Sequence, residues 1–243
     1  MAADSGAVAL VTGAGRGIGR AIAIELARQG YALCLAARTF EELLETRRLS
    51  GLAPHQCLIV MIDLTEIDAP EHLFRAAIEH YGRVDVLINN AGGAPPRTPL
   101  SNLSPREIDS ILALNLRAPV GLAHLAARHM SESGRGGAII NIASIAARDA
   151  AAGETVYAAA KAGLVTFTHA CFNEFRQQEI RVAVVIPGLT DTRLIPHNKR
   201  LNREAMLRPE DVAAAVTGVL TAGPGSVPVE IVLQPARDPL RAR

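Results

Sequence analysis

The chain has 243 residues, 25 lysines and arginines against 24 acidic residues, and a formal net charge of +1. That balance, with no basic block, excludes an electrostatic nucleic-acid binder, and 49% hydrophobic residues are ample for one large core. Cys34, Cys57 and Cys171 are odd in number and lack CxxC spacing, which excludes a disulfide framework and reads as core thiols in a reducing cytoplasm.

No uninterrupted apolar run approaches the ~18 residues of a membrane span. The start, "MAADSGAVALVTG", has no basic segment, and its apolar run is too short for a signal peptide. A cytoplasmic chain without a membrane partner is expected. The histidines show no HExxH or clustered ligand spacing, so no metal site is expected. Arg237, Arg241 and Arg243 make the far end basic and read as a solvated tail.

Short apolar runs alternate with longer helical patterns. Strands are expected at Ala7–Val11, Ala32–Ala37, Leu58–Ile62, Val84–Ile88, Gly137–Ile142, Arg181–Ile186 and Val229–Leu233. Runs rich in Val, Ile and Leu without alternation mark strands buried on both faces, as in parallel sheets. Helices are expected between them, near 18–29, 40–49, 70–81, 104–130, 155–178 and 209–221. The alternation predicts an α/β chain whose right-handed crossovers build a doubly wound, seven-stranded parallel sheet with helices on both faces.

"TGAGRGIG", Thr12 to Gly19, follows the first strand and opens the first helix. Gly13 permits a tight turn, Gly15 and Gly17 free space beside the backbone, and Gly19 lets helix and strand approach. An open helix N-terminus would then face a pyrophosphate. A glycine-rich turn without a ligand is the alternative. Placed between strand and helix, the loop points to a dinucleotide.

The second strand ends "AARTFEE". A carboxylate there would bind the ribose hydroxyls of NAD, but the chain has Ala37 and then Arg38, with Arg16 in the glycine loop. Two guanidiniums suit a ribose 2′-phosphate, so NADP(H) is expected over NAD. Thr39 with Glu42 reads as a capping box, leaving Glu41 and Glu42 no cofactor role. Asp63, with Leu64 beyond it, ends the third strand, where it could accept from an adenine amino group or cap a loop. "NNAGG", Asn89 to Gly93, ends the fourth strand at the sheet edge that binds ligands. Its small residues admit a cofactor, and its asparagines can tie strand ends together.

Ser104-Pro-Arg-Glu107 opens the next helix as a capping box with proline at the first helical position. Pro119 lies inside that helix and cannot donate to the carbonyl of Asn115. Freed, that carbonyl could hold a water leading to Lys161. Tyr157 and Lys161 lie four apart in "YAAAKAG", on one face of a helix. A free phenol titrates near ~10, and a neighbouring ammonium would pull it toward neutrality, giving a general acid/base. A chance pairing on a solvated face is the alternative. Ser144, thirteen residues earlier, the glycine loop and "NNAG" favour chemistry.

Together these motifs resemble the short-chain dehydrogenase/reductase family, in its NADP-preferring carbonyl and 3-oxoacyl reductase branch. The resemblance covers almost the whole chain and implies a single-domain Rossmann fold over residues 1–243. It implies a catalytic set of Asn115, Ser144, Tyr157 and Lys161, with Asn115 in a proton relay. By the same resemblance Thr12, Gly13, Gly15, Arg16, Gly17, Ile18 and Gly19 form the phosphate loop, and Asn90, Ala91 and Gly92 a cofactor-supporting turn. Pro187, Gly188 and Thr192 match a segment near the nicotinamide carboxamide, and Tyr157 and Lys161 would also contact the cofactor. The activity implied is hydride transfer between NADP(H) and a small carbonyl substrate. A non-catalytic NADP-binding sensor on the same fold is the competing reading.

The substrate pocket is expected from Gly93–Arg97, Ile145–Gly153 and a short polar segment near 189–208, which together favour a small or open-ended site. The ending "VPVEIVLQPARDPLRAR" departs from the "VDGG"-like close of common 3-oxoacyl-carrier-protein reductases. Val156, Ala160, Gly163, Phe167, Cys171 and Phe175 form a helical stripe that reads as core. The small residues at 158–163 would also permit close helix approach, and relatives pair such helices between subunits. A homo-oligomer, dimer or tetramer, is expected.

Overall fold

The computed structural model describes residues 6–93, 96–195 and 201–240. One seven-stranded sheet runs β3-β2-β1-β4-β5-β6-β7 with every pairing parallel. Its strands are β1 (Val8–Thr12), β2 (Ala32–Ala37), β3 (Cys57–Met61), β4 (Val86–Asn89), β5 (Gly137–Ile142), β6 (Ile180–Pro187) and β7 (Glu230–Leu233). All seven expected strands are present, with ends moved by up to two residues. Asp85 accounts for the largest shift. Its Oδ2 accepts the Val8 amide at 2.8 Å, so that residue braces the ladder and β4 begins after it.

The helices are α1 (Gly17–Arg28), α2 (Phe40–Ser50), α3 (Ala69–Tyr81), α4 (Pro105–Leu112), α5 (Ala118–Ser133), α6 (Thr155–Phe175) and α7 (Pro209–Thr221). Each strand feeds both faces of the sheet by alternation. Ala9, Val11, Leu33, Leu35, Val86 and Ile88 pack under α1, α2 and α7. Leu10, Cys34, Leu87, Ile139 and Val182 pack under α3, α5 and α6. Full burial of one such leucine or isoleucine contributes about 1.5–3 kcal/mol, which explains why the strands read as continuous apolar runs.

The helix expected over 104–130 is interrupted. A π-helical turn, Ala113–Arg117, separates α4 from α5. Pro119 has no amide to give the Asn115 carbonyl, and Asn115 Nδ2 takes the Ile111 carbonyl at 2.9 Å. The regular ladder is therefore lost on both sides of Asn115. The last expected helix turn near 176–178 is a 3₁₀ turn, closed by Glu179 in the left-handed region at φ 57°. The combined stretch Pro105–Ser133 is long and apolar enough to cross a membrane, yet half of its most apolar window is buried within the fold.

Candidate active site

Strand order reverses between β1 and β4, and the crevice beyond their carboxyl ends is where such sheets take ligands. Thr12, the last residue of β1, stitches it together. Its Oγ1 donates to the Ile88 carbonyl at 3.2 Å and accepts the amides of Asn90 and Ala91 at 3.0 and 2.9 Å. Asn90 Nδ2 donates in return to the carbonyls of Thr12 and Gly13, at 2.9 and 3.2 Å. Gly13 holds φ +63°, and a Cβ on Gly19 would lie 2.2 Å from the Gly13 carbonyl oxygen, so both positions require glycine. Asn89 ties β4 to β5 through Asn141 Oδ1 at 2.9 Å and reaches the Pro119 carbonyl at 3.1 Å.

Two residues the motif does not include brace the glycine loop. Arg20 bonds the carbonyl of Gly15, and its Nε reaches Thr46 Oγ1 at 3.1 Å. Thr46, fully buried on α2, donates to the Ala14 carbonyl at 2.9 Å. Arg16 precedes α1 in extended conformation with no side-chain cap, and the first turn carries no acidic residue. Open amides and an uncompensated dipole make this end of α1 fit a pyrophosphate. Thr192 closes over it, with its Cγ2 3.2 Å from where a Gly17 Cβ would stand. Pro187 ends β6, and the Gly188 amide donates to Leu233 at 2.8 Å.

Beyond the tips of β2 and β3, each of the two expected cations stands beside a carboxylate. Arg38 Nη1 lies 4.0 Å from Asp63 Oδ2, and Arg16 Nη1 lies 3.5 Å from Glu42 Oε1. Asp63 Oδ1 accepts the amide and hydroxyl of Thr65, both at 2.9 Å, so one oxygen caps the turn. The Leu64 side chain is buried in the core. The expected Thr39–Glu42 capping box is absent. Thr39 precedes α2 without a side-chain cap, because Glu42 turns instead to Arg16 and to Arg193, 3.3 Å away.

The reaction-end residues also meet. Ser144 stands near enough to the Tyr157 side chain to favour its ionised form, and its Oγ accepts the Ala146 amide at 3.2 Å. Lys161 is buried, donates to the Ile142 carbonyl at 2.9 Å, and holds Nζ 6.0 Å from the Tyr157 ring centre. Asn115 faces the same space. Its Oδ1 accepts the Gly93 amide and its Nδ2 donates to the Gly93 carbonyl, both at 3.1 Å. A Cβ on Gly92 would lie 2.9 Å from Asn115 Oδ1 and 3.1 Å from Lys161 Nζ, so a side chain there would press on both groups.

One electrostatic expectation is corrected. Burial pushes the Tyr157 phenol above its ordinary range, the neighbouring Ser144 hydroxyl pulls it down, and Glu154 pushes it up. Burial also pushes Lys161 down to about 8. In this crevice desolvation acts on both groups, and Ser144 rather than Lys161 is the group that eases phenol ionisation.

Of the expected pocket segments, residues 94–95 and 196–200 lie outside the described residues, as do Arg241 and Arg243 at the tail. Arg97 pairs with Glu154 at 3.0 Å, and Arg148 pairs with Glu230.

The family model for short chain dehydrogenases matches residues 7–202. The chain belongs to the short-chain dehydrogenase family. Cis-4-hydroxycyclohexanecarboxylate dehydrogenase of Sinomonas cyclohexanicum is 35% identical over 220 residues, 86% of this chain and 87% of that protein. A metagenomic short-chain oxidoreductase, solved in complex with NADP, superposes with a TM-score of 0.82 at 34% identity, covering 96% of this chain and 99% of the other. The 3-ketoacyl-(acyl-carrier-protein) reductase of Brucella melitensis, solved with NADH, gives 0.86 at 26% identity over 96% and 98%. As a short-chain dehydrogenase the chain is an oxidoreductase on a Rossmann sheet, and both nicotinamide cofactors occur among its neighbours.

Proposed function

We propose that this short-chain dehydrogenase is an NADP(H)-dependent enzyme acting on a carbonyl or secondary-alcohol group, with Tyr157 as its general acid/base. The observation that carries it is Tyr157 beside Ser144 and buried Lys161, at the sheet edge that also holds the open end of α1. When bound, the nicotinamide supplies or accepts the hydride. Tyr157 then gives its hydroxyl proton to the substrate oxygen in reduction and takes it back in oxidation. Ser144 Oγ hydrogen-bonds the same oxygen and stabilises its developing charge. Lys161, held by the Ile142 carbonyl, would contact the cofactor ribose. Arg16 and Arg38, with Ala37 where NAD sites place a carboxylate, support the 2′-phosphorylated cofactor.

A ring-sized secondary alcohol such as the hydroxycyclohexanecarboxylate of the Sinomonas relative's name is the first compound to test. Incubation with NADPH and ketones, or NADP⁺ and alcohols, should change nicotinamide absorbance. NADPH binding without turnover across a broad panel would instead assign a non-catalytic sensor.

Asn115 is read as a relay group. Pro119→Ala returns an amide to the helix and allows the π-turn to close on the Asn115 carbonyl. Turnover should fall about tenfold with cofactor affinity retained, and unchanged turnover at full stability would remove the relay. The reading includes a cytoplasmic homo-oligomer, and sedimentation at micromolar concentration should show a dimer or tetramer.

A further inference from the structure

Glu42 sits on the first turn of α2 with its side chain against the glycine loop. A Cβ on Gly15 would lie 3.0 Å from Glu42 Cβ, 3.2 Å from its Oε2 and 3.6 Å from Ala37 Cβ at the tip of β2. One carboxylate oxygen serves two cations, at 3.5 Å from Arg16 and 3.3 Å from Arg193. The carboxylate is 24% exposed, whereas the two guanidinium side chains are 49% and 77% exposed, so Glu42 is the fixed member and the arginines the movable ones. Arg16, Gly17, Glu42, Thr192, Arg193 and Arg203 line one cleft of about 330 Å³. Arg203 secures its far wall, bonding the Asp191 carboxylate and, at 2.7 Å, the Ile195 carbonyl.

We propose that Glu42 sets how far this site discriminates NADP(H) from NAD(H), by holding Arg16 against the incoming 2′-phosphate, and that Arg193 moderates it by sharing the same carboxylate. The proposal rests on the assignment of Arg16 to the 2′-phosphate made above. A phosphate and a carboxylate on one guanidinium repel each other, and the carboxylate is always present because the chain supplies it. The penalty therefore falls on the phosphorylated cofactor alone and weakens with added salt. Arg193 has the opposite sign. Removing it leaves the carboxylate wholly to Arg16.

The test is titration of NADPH and NADH into the full-length wild type, Glu42→Gln and Arg193→Ala, followed by nicotinamide fluorescence at low and high salt. Glu42→Gln should tighten NADPH about fivefold and move NADH less than about twofold, and Arg193→Ala should weaken NADPH about two- to threefold. Opposite directions matter, since simple loosening of the cleft would weaken NADPH binding in both variants. A wild type that prefers NADH, but whose ratio Glu42→Gln still shifts toward NADPH, would end the NADP preference and keep the role of Glu42. A wild type that prefers NADPH, with a ratio unmoved by Glu42→Gln or with both variants shifted alike, overturns the role of Glu42.

Discussion

Tyr157→Phe should lower kcat by about three orders of magnitude while the dissociation constant of NADPH changes less than about threefold. The substitution removes one oxygen and leaves the ring in its half-buried place on α6. Without the hydroxyl, no acidic donor among the described residues replaces it at the substrate oxygen, because Ser144 Oγ can bond that oxygen but has no acidic proton to release near neutral pH. Ser144→Ala should be milder in kcat but should shift the pH profile. It removes the one neighbour that pulls the phenol down against burial, so the acid form persists to higher pH and the limb for alcohol oxidation moves upward. The two variants together separate proton transfer from its tuning. A Tyr157→Phe protein with near-normal turnover would end the assignment of Tyr157 as acid/base.

What could be read ahead of the structure was whatever depends on local pattern. β1, β2 and β5 were legible because residues facing both helix layers are apolar, and the glycine loop because Gly13 and Gly19 meet backbone that no Cβ could approach. What could not be read depends on partners far along the chain. The Thr39-to-Glu42 spacing matches a capping box, but Glu42 is taken by Arg193, 151 residues away. Pro119 announced a disturbance, yet the π-turn also needs Asn115 to be fixed to Gly93 across 22 residues. Thr46 reads as an ordinary helix residue until Ala14 and Arg20 are seen to depend on it. Asn141 and Thr168, joined at 2.8 Å between β5 and α6, likewise have no local signature. The spacing of Tyr157 and Lys161 put them side by side but was silent on how dry the crevice is, and dryness decides the direction of both titrations.

That dryness gives Lys161 a measurable cost. Its ammonium is buried with one carbonyl partner, and its folded value of about 8 lies below the ordinary lysine value of 10.5. Between those two values the unfolded chain binds a proton that the folded chain does not, so this group's contribution to stability rises with pH across that window. Below about 8 both states are charged and the penalty is complete, at about 3 kcal/mol. Lys161→Met removes the charge and keeps the length of the side chain. Against the penalty removed stands the loss of one hydrogen bond, about 1 kcal/mol, and the burden of leaving the Ile142 carbonyl unpaired. The variant should thus be more stable than wild type by about 1 kcal/mol at pH 7, with the difference shrinking as pH climbs from 8 and reversing at about 9. Tyrosines and cysteines titrating in the same range are common to both proteins and cancel in the comparison. Turnover should fall about a thousandfold in the same variant. Denaturant unfolding at pH 7, 8.5 and 10, beside a kinetic assay, reads both quantities. A stability difference that does not change with pH would show that the buried ammonium is not strained. Equal stability loss and activity loss would show that Lys161 serves packing and not the chemistry at Tyr157.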